Sequence, residues 1–124
     1  MQQEGPAGII QGGGLIKKLT PEKQVQAAVV KYLKFMGWIV MRNQQGLGST
    51  PGRPDIEALK NGVVIWIECK APKGRLSESQ QKYIESLRKN GGIVFVTNNF
   101  EVFMGELERL EDDLWPGKRL KRLF

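Results

Sequence analysis

The sequence predicts an α/β domain in which a mixed β-sheet is flanked by helices, in the order α-β-β-β-α-β-α. Three observations carry that prediction. An Asn61-Gly62 pair separates two runs rich in apolar and β-branched residues, the strongest short-range signal for a hairpin. Two amphipathic helical repeats open on capping signals, at Thr20-Pro21-Glu22 and at Ser77-Glu78-Ser79-Gln80. Two apolar runs, at 38–42 and at Ile93–Thr97, have the length of strands and read as buried ones.

The elements follow in order. Residues 1–19 are Gly-rich and weakly patterned, and read as a flexible arm. Thr20 suits an N-cap and Pro21 the first helical position, and Glu22 adds an acidic residue to the first turn. Val25, Ala28, Val29, Tyr32, Leu33 and Met36 recur at helical spacing until Gly37 stops the helix. After the strand at 38–42 comes a polar, Gly-rich loop at 43–53, and then hairpin strands near 54–60 and 63–70. The helix from Ser77 carries Tyr83, Ile84 and Leu87 on its buried side and ends at Asn90-Gly91-Gly92. A last amphipathic helix is expected at 100–110, followed by the basic tail Lys118-Arg119-Leu120-Lys121-Arg122. The division is an arm at 1–19, a folded domain at 20–112 and a tail at 113–124.

Composition narrows the function. A chain of 124 residues supports one domain with its own core. The net charge of +6 and pI near 9.6 favour a polyanionic partner, nucleic acid first and anionic membrane second. No apolar run approaches the roughly 18 residues of a membrane span, and residues 1–6 lack the character of a signal peptide. The single cysteine rules out an intramolecular disulfide framework and suits a reducing cytoplasm. There is no histidine, which removes Ser-His-Asp and Cys-His chemistry and any ordinary zinc site. A resident metal would be a hard cation held by oxygen, Mg²⁺ or Mn²⁺.

The hairpin then brings chemistry together. A two-residue type I′ turn places residue 60 opposite 63 and, further along the ladder, Asp55 opposite Glu68. Facing side chains in such a ladder have Cβ atoms roughly 5 Å apart, and two carboxylates there repel unless a cation or shared proton compensates. Lys70, two residues beyond Glu68, shares their face, with Glu57, Leu59, Val64 and Trp66. Ile56, Ala58, Val63, Ile65, Ile67 and Cys69 form the apolar face, so Cys69 reads as a small buried hydrophobe. An Asp, a Glu and a Lys converging on one patch suit metal-assisted phosphodiester hydrolysis. Trp38 and Trp66 read as core residues.

Gly52-Arg53-Pro54-Asp55, then Ile67-Glu68-Cys69-Lys70-Ala71-Pro72-Lys73-Gly74-Arg75-Leu76-Ser77, then Gln80, resembles the VRR-NUC group of the PD-(D/E)XK nucleases. The similarity runs from about residue 22 to residue 96. It implies a PD-(D/E)XK restriction-endonuclease-like core, α-β-β-β-α-β. It also implies metal ligation by Asp55, Glu68 and the Cys69 backbone carbonyl, with Lys70 orienting or helping to deprotonate the attacking water. By the same resemblance Glu22 matches a glutamate on the first helix and Gln80 a glutamine that opens the second. The middle residue of the ExK triplet, Cys69, departs from the commoner valine, but only its backbone is asked to work.

Several of these residues have a structural account as well. The helix dipole alone favours Glu22 by roughly 0.3–1 kcal/mol, and Gln80 fits as the third residue of a capping box. Glu57 either touches a second metal or is solvated or paired. Lys73 and Arg75, on a Gly-containing loop, suit phosphate contacts, as does Arg53. The function expected is metal-dependent, structure-specific endonuclease cleavage of DNA, with Mg²⁺ or Mn²⁺ as cofactor. The resemblance adds a Holliday-junction-like substrate, a homodimer, and a bacterial or phage-infected cytoplasm. The rivals are a flap or nicking nuclease, monomeric or with a replication partner, and a non-catalytic DNA-binding subunit.

Overall fold

The computed structural model describes residues 18–43 and 50–117. Most of the expected N-terminal arm, the middle of the 43–53 loop and the basic run at 118–122 lie outside the described residues. The elements are α1 (Pro21–Phe35), β1 (Ile39–Arg42), β2 (Ile56–Lys60), β3 (Val63–Cys69), α2 (Glu78–Lys89), β4 (Ile93–Thr97) and α3 (Phe100–Leu114). The four strands form one mixed sheet in the order β1-β2-β3-β4. The first two pairings are antiparallel, and β3–β4, joined through α2, is parallel.

The hairpin has the expected register, with Lys60 paired to Val63 and Ile56 to Ile67. Asn61 and Gly62 both have positive φ, 49° and 81°, as a type I′ turn requires. Because side chains alternate along a strand, a slip of one residue would send the core face into solvent. That face is fully committed: Ile56, Ala58, Ile65, Ile67 and Cys69 are buried against Val29 and Leu33 of α1 and Phe103 and Leu107 of α3. The opposite face carries Trp66 and Val94, with α2 packed against β4.

Two strands differ from expectation. The 38–42 run was expected as a buried strand, but Trp38 alone is buried and lies before the strand, while Ile39 and Met41 are exposed. β1 is an edge strand that turns only Val40 toward the core. β4 is the other edge, so Val94 is buried while Val96 is exposed. The last helix continues past residue 110 to Leu114. No helix among the described residues is long and apolar enough to cross a membrane.

α3 is fastened to the hairpin by a buried charge. Glu111 accepts from the Trp38 indole N–H at 2.8 Å and from Lys60 Nζ at 3.2 Å, and Lys60 also donates to the Met36 carbonyl at 2.7 Å. The same ammonium lies 5.8 Å and 5.2 Å from the ring centroids of Trp38 and Trp115. Removing one partner of such a pair leaves the other charged and desolvated. Glu111→Ala is therefore expected to lower stability by about 3 kcal/mol, measured by urea unfolding. Lys60→Met combined with Glu111→Leu recovers most of that loss.

Candidate active site

The site lies where β2 begins and β3 ends. The chain enters it through Gly52, whose φ of 82° disfavours other residues and whose absent Cβ would collide with the Ser79 carbonyl of α2. Asp55 follows at a fixed backbone position. Its carbonyl accepts from the Asn43 N–H at 2.7 Å, while the Asn43 side chain donates to the Pro54 carbonyl at 2.7 Å. The ladder ends at Ile56 and Ile67; extending it by one step brings Asp55 across from Glu68, and the Asp55 charge does act on the Glu68 carboxyl.

Glu68 is only 1% exposed. Its Oε2 accepts from Gln80 Nε2 at 3.0 Å and lies 3.7 Å from Lys70 Nζ. Its Oε1 is buried with no hydrogen-bond partner. Burial, reinforced by the charges of Asp55 and Glu22, pushes the Glu68 carboxyl up to about 7, against the pull of Lys70 and the Asp55 amide. Lys70 is itself fixed by its backbone N–H, which donates to the Thr97 carbonyl at 2.9 Å.

Gln80 makes bonds in two directions. It completes the capping box with Ser77 and also holds Glu68. Glu22 lies in the first turn of α1, half-buried, and is close enough for its charge to act on Glu68. Cys69 is fully buried, and burial pushes its thiol up to about 12, with the neighbouring carboxylates adding to the shift. The thiol is therefore protonated and enclosed.

Glu57 is paired. Its Oε2 accepts from Arg53 at 2.6 Å, from the Trp66 indole at 3.2 Å and from Asn43 at 3.4 Å. Desolvation raises its pKa, but the hydrogen bond and charge of Arg53 outweigh that and leave it below the usual carboxylate range. Arg53 thus ties the Gly52–Asp55 turn to β2. Lys73 and Arg75 are exposed on the loop between β3 and α2.

Sequence reasoning missed Gln26 and Arg42. Gln26 is 6% exposed, donates to Asp55 Oδ2 at 3.0 Å, and accepts from Arg42 Nη2 at 3.3 Å. The available signal was a polar residue one helical turn after Glu22, on the face that buries Val29 and Leu33.

No group of three or more Cys, Asp and Glu side chains among the described residues is arranged to hold a metal. The fit to a hard cation rests instead on the donor chemistry. Glu68, with an orphaned buried oxygen, is near enough to Asp55 for the two charges to interact, and Mg²⁺ is commonly held by one or two carboxylates plus water and phosphate oxygens.

Comparison with known proteins bears on the family and the fold. A sequence model of the VRR-NUC domain matches residues 18–100. A solved structure described as a VRR_NUC domain superposes with a TM-score of 0.64 at 27% identity, covering 73% of this chain and 97% of that one.

The buried carboxyl makes stability depend on pH in an unusual direction. A carboxyl whose folded pKa is raised stabilises the fold when protonated, and that contribution fades as pH rises from 4.5 to about 7. For Glu68 the loss amounts to about 3 kcal/mol at most. Glu68→Gln is expected to melt several degrees above the wild type at pH 8 without metal and close to it at pH 4. Scanning calorimetry at both pH values checks this; equal melting temperatures at pH 8 would remove the electrostatic account.

Proposed function

The chain belongs to the VRR-NUC family of nucleases, and on that premise we propose that it is a divalent-cation-dependent endonuclease acting on branched DNA, four-way junctions first. The observation that carries the cation reading is the buried Oε1 of Glu68, which has no hydrogen-bond partner and belongs to a carboxylate on which the Asp55 charge acts. A fold leaves such an oxygen unsatisfied at a cost of about 1–3 kcal/mol, which calls for a compensating ligand.

Asp55, Glu68 and the Cys69 carbonyl would hold Mg²⁺ or Mn²⁺. A cation bound there supplies charge neutralisation and a water of lowered pKa. Lys70 keeps an ammonium beside Glu68, where it orients the attacking water and offsets charge on the phosphorane-like transition state. Gln80 fixes the Glu68 rotamer, and Glu22 adds negative charge on the α1 side of the site. Lys73 and Arg75 are exposed beside the site, where they would meet backbone phosphates.

The junction preference and a homodimer rest on the family resemblance. Two copies of one site related by a two-fold axis suit symmetric cuts in a two-fold substrate. The cytoplasm is the setting proposed, in keeping with a single, reduced cysteine.

The test is cleavage of labelled four-way junction, flap and plain duplex, each with Mg²⁺, Mn²⁺ or EDTA. Paired nicks on the junction, dependent on metal and accompanied by a dimer in light scattering, are the expected result. Cutting of flaps by a monomer would favour the flap reading, and metal-dependent binding without cutting the DNA-binding one. Asp55→Ala and Glu68→Ala are each expected to lower cleavage by about 10³-fold, the several kcal/mol a bound cation supplies. DNA affinity in EDTA should stay within about threefold, since phosphate contacts carry it. Cleavage by either variant at the wild-type rate would overturn the site assignment.

A further inference from the structure

We propose that Gln26 is a positioning residue for Asp55, locked in orientation by Arg42, and that the chain Arg42–Gln26–Asp55 sets the affinity of the site for its divalent cation. The inference rests on the cation-binding reading of Asp55 and Glu68 and goes one layer outward from it.

The orientation of the Gln26 amide follows from chemistry. A guanidinium has five N–H donors and no acceptor, so the group facing Arg42 must be the carbonyl oxygen of Gln26. The amide nitrogen then faces Asp55 and donates to Oδ2 at 3.0 Å. Gln26 is nearly fully buried on α1, so its amide depends on these partners rather than on bulk water.

The same device occurs a second time in the site. Gln80, on α2, donates from Nε2 to Glu68 Oε2 at 3.0 Å, and its Oε1 accepts from the Ser77 N–H at 2.8 Å. Two glutamines from different helices thus each hold one oxygen of a carboxylate, and each has its own oxygen tied to a fixed donor. A neutral amide suits this task because it orients a carboxylate without neutralising it. A lysine or arginine in its place would compete with the cation for the same charge.

The consequence is carried by metal affinity. Titration calorimetry with Mn²⁺ alone, without DNA, is run beside melting of the metal-free protein for wild type, Q26L, Q26M, R42A, R42K and D55A. Q26L removes the donor at similar volume and should raise the Mn²⁺ dissociation constant about tenfold, in the range typical of groups that orient metal ligands. Q26M also removes the donor without adding charge and should weaken binding to a similar extent, and it carries the test should Q26L fail to fold. R42A should weaken binding by about two- to fivefold, with R42K recovering most of it, since an ammonium also donates to the Gln26 oxygen.

A merely structural role would lower the melting temperature and leave the Mn²⁺ affinity alone. Binding by Q26M and Q26L within about twofold of wild type, while D55A loses it, would overturn the positioning role and keep the cation site. Failure of the wild type to bind Mn²⁺, or binding by D55A as tight as wild type, would remove the cation reading and this inference together.

Discussion

Everything in this domain is arranged around two carboxylates that repel. Asp55 lies one step beyond the last pair of the hairpin, near enough for its charge to act on Glu68, and Glu68 is almost wholly desolvated there. The same fold shows that it can satisfy a buried glutamate when no such demand exists. Glu111, 2% exposed, has one oxygen on the Trp38 indole and the other on Lys60. Glu57 draws three donors to a single oxygen. Glu68 has a glutamine amide, a lysine at 3.7 Å, the pull of the Asp55 amide, and one oxygen with no hydrogen-bond partner. Among these three glutamates the shortfall falls on the one that feels another carboxylate.

The arrangement is rigid because backbone, not side chain, sets the distance. The hairpin turn at Asn61-Gly62 fixes a register that runs the length of β2 and β3. Five buried residues on the far face prevent that register from slipping. Beyond the ladder, Asn43 clamps the Pro54-Asp55 turn and the Thr97 carbonyl clamps Lys70, so each functional side chain leaves a backbone that is bonded on its own account. Helices then supply orientation from both sides of the sheet, α1 through Gln26 and α2 through Gln80.

Local rules made the hairpin, its two faces and the Asp55–Glu68–Lys70 constellation legible in the sequence, because a two-residue turn and a period of two determine them without reference to the rest of the fold. The caps at Thr20 and Ser77 were legible for the same reason. Burial of whole strands was not. Apolar content marks 38–42 as a strand, but strand order decides that β1 lies at an edge with Ile39 and Met41 exposed. Gln26 and Arg42 were invisible because their meaning depends on α1 crossing the mouth of the hairpin, a contact between residues 29 apart in the chain. The clasp of Glu111 on Lys60 and Trp38 is hidden likewise, with partners 51 and 73 residues away.

Proton and cation are alternative answers to the same electrostatic problem. With its carboxyl near pH 7, Glu68 is at the point where a modest change in surroundings decides whether it carries a proton or a charge. A structural carboxylate would be better placed in an ion pair such as the one Glu111 makes, where the pairing is permanent. A carboxylate meant to receive a dication is better left short of donors, because every fixed positive partner would have to be displaced or repelled. Amides from Gln26 and Gln80 meet that requirement: they hold geometry and leave the negative charge intact. On the proposed reading, a cation bound at Asp55 and Glu68 would offset the cost that the metal-free fold bears by desolvating Glu68. Gln26 and Gln80 each hold one oxygen of a carboxylate, and the cation proposed above would meet the Glu68 oxygen that no donor reaches.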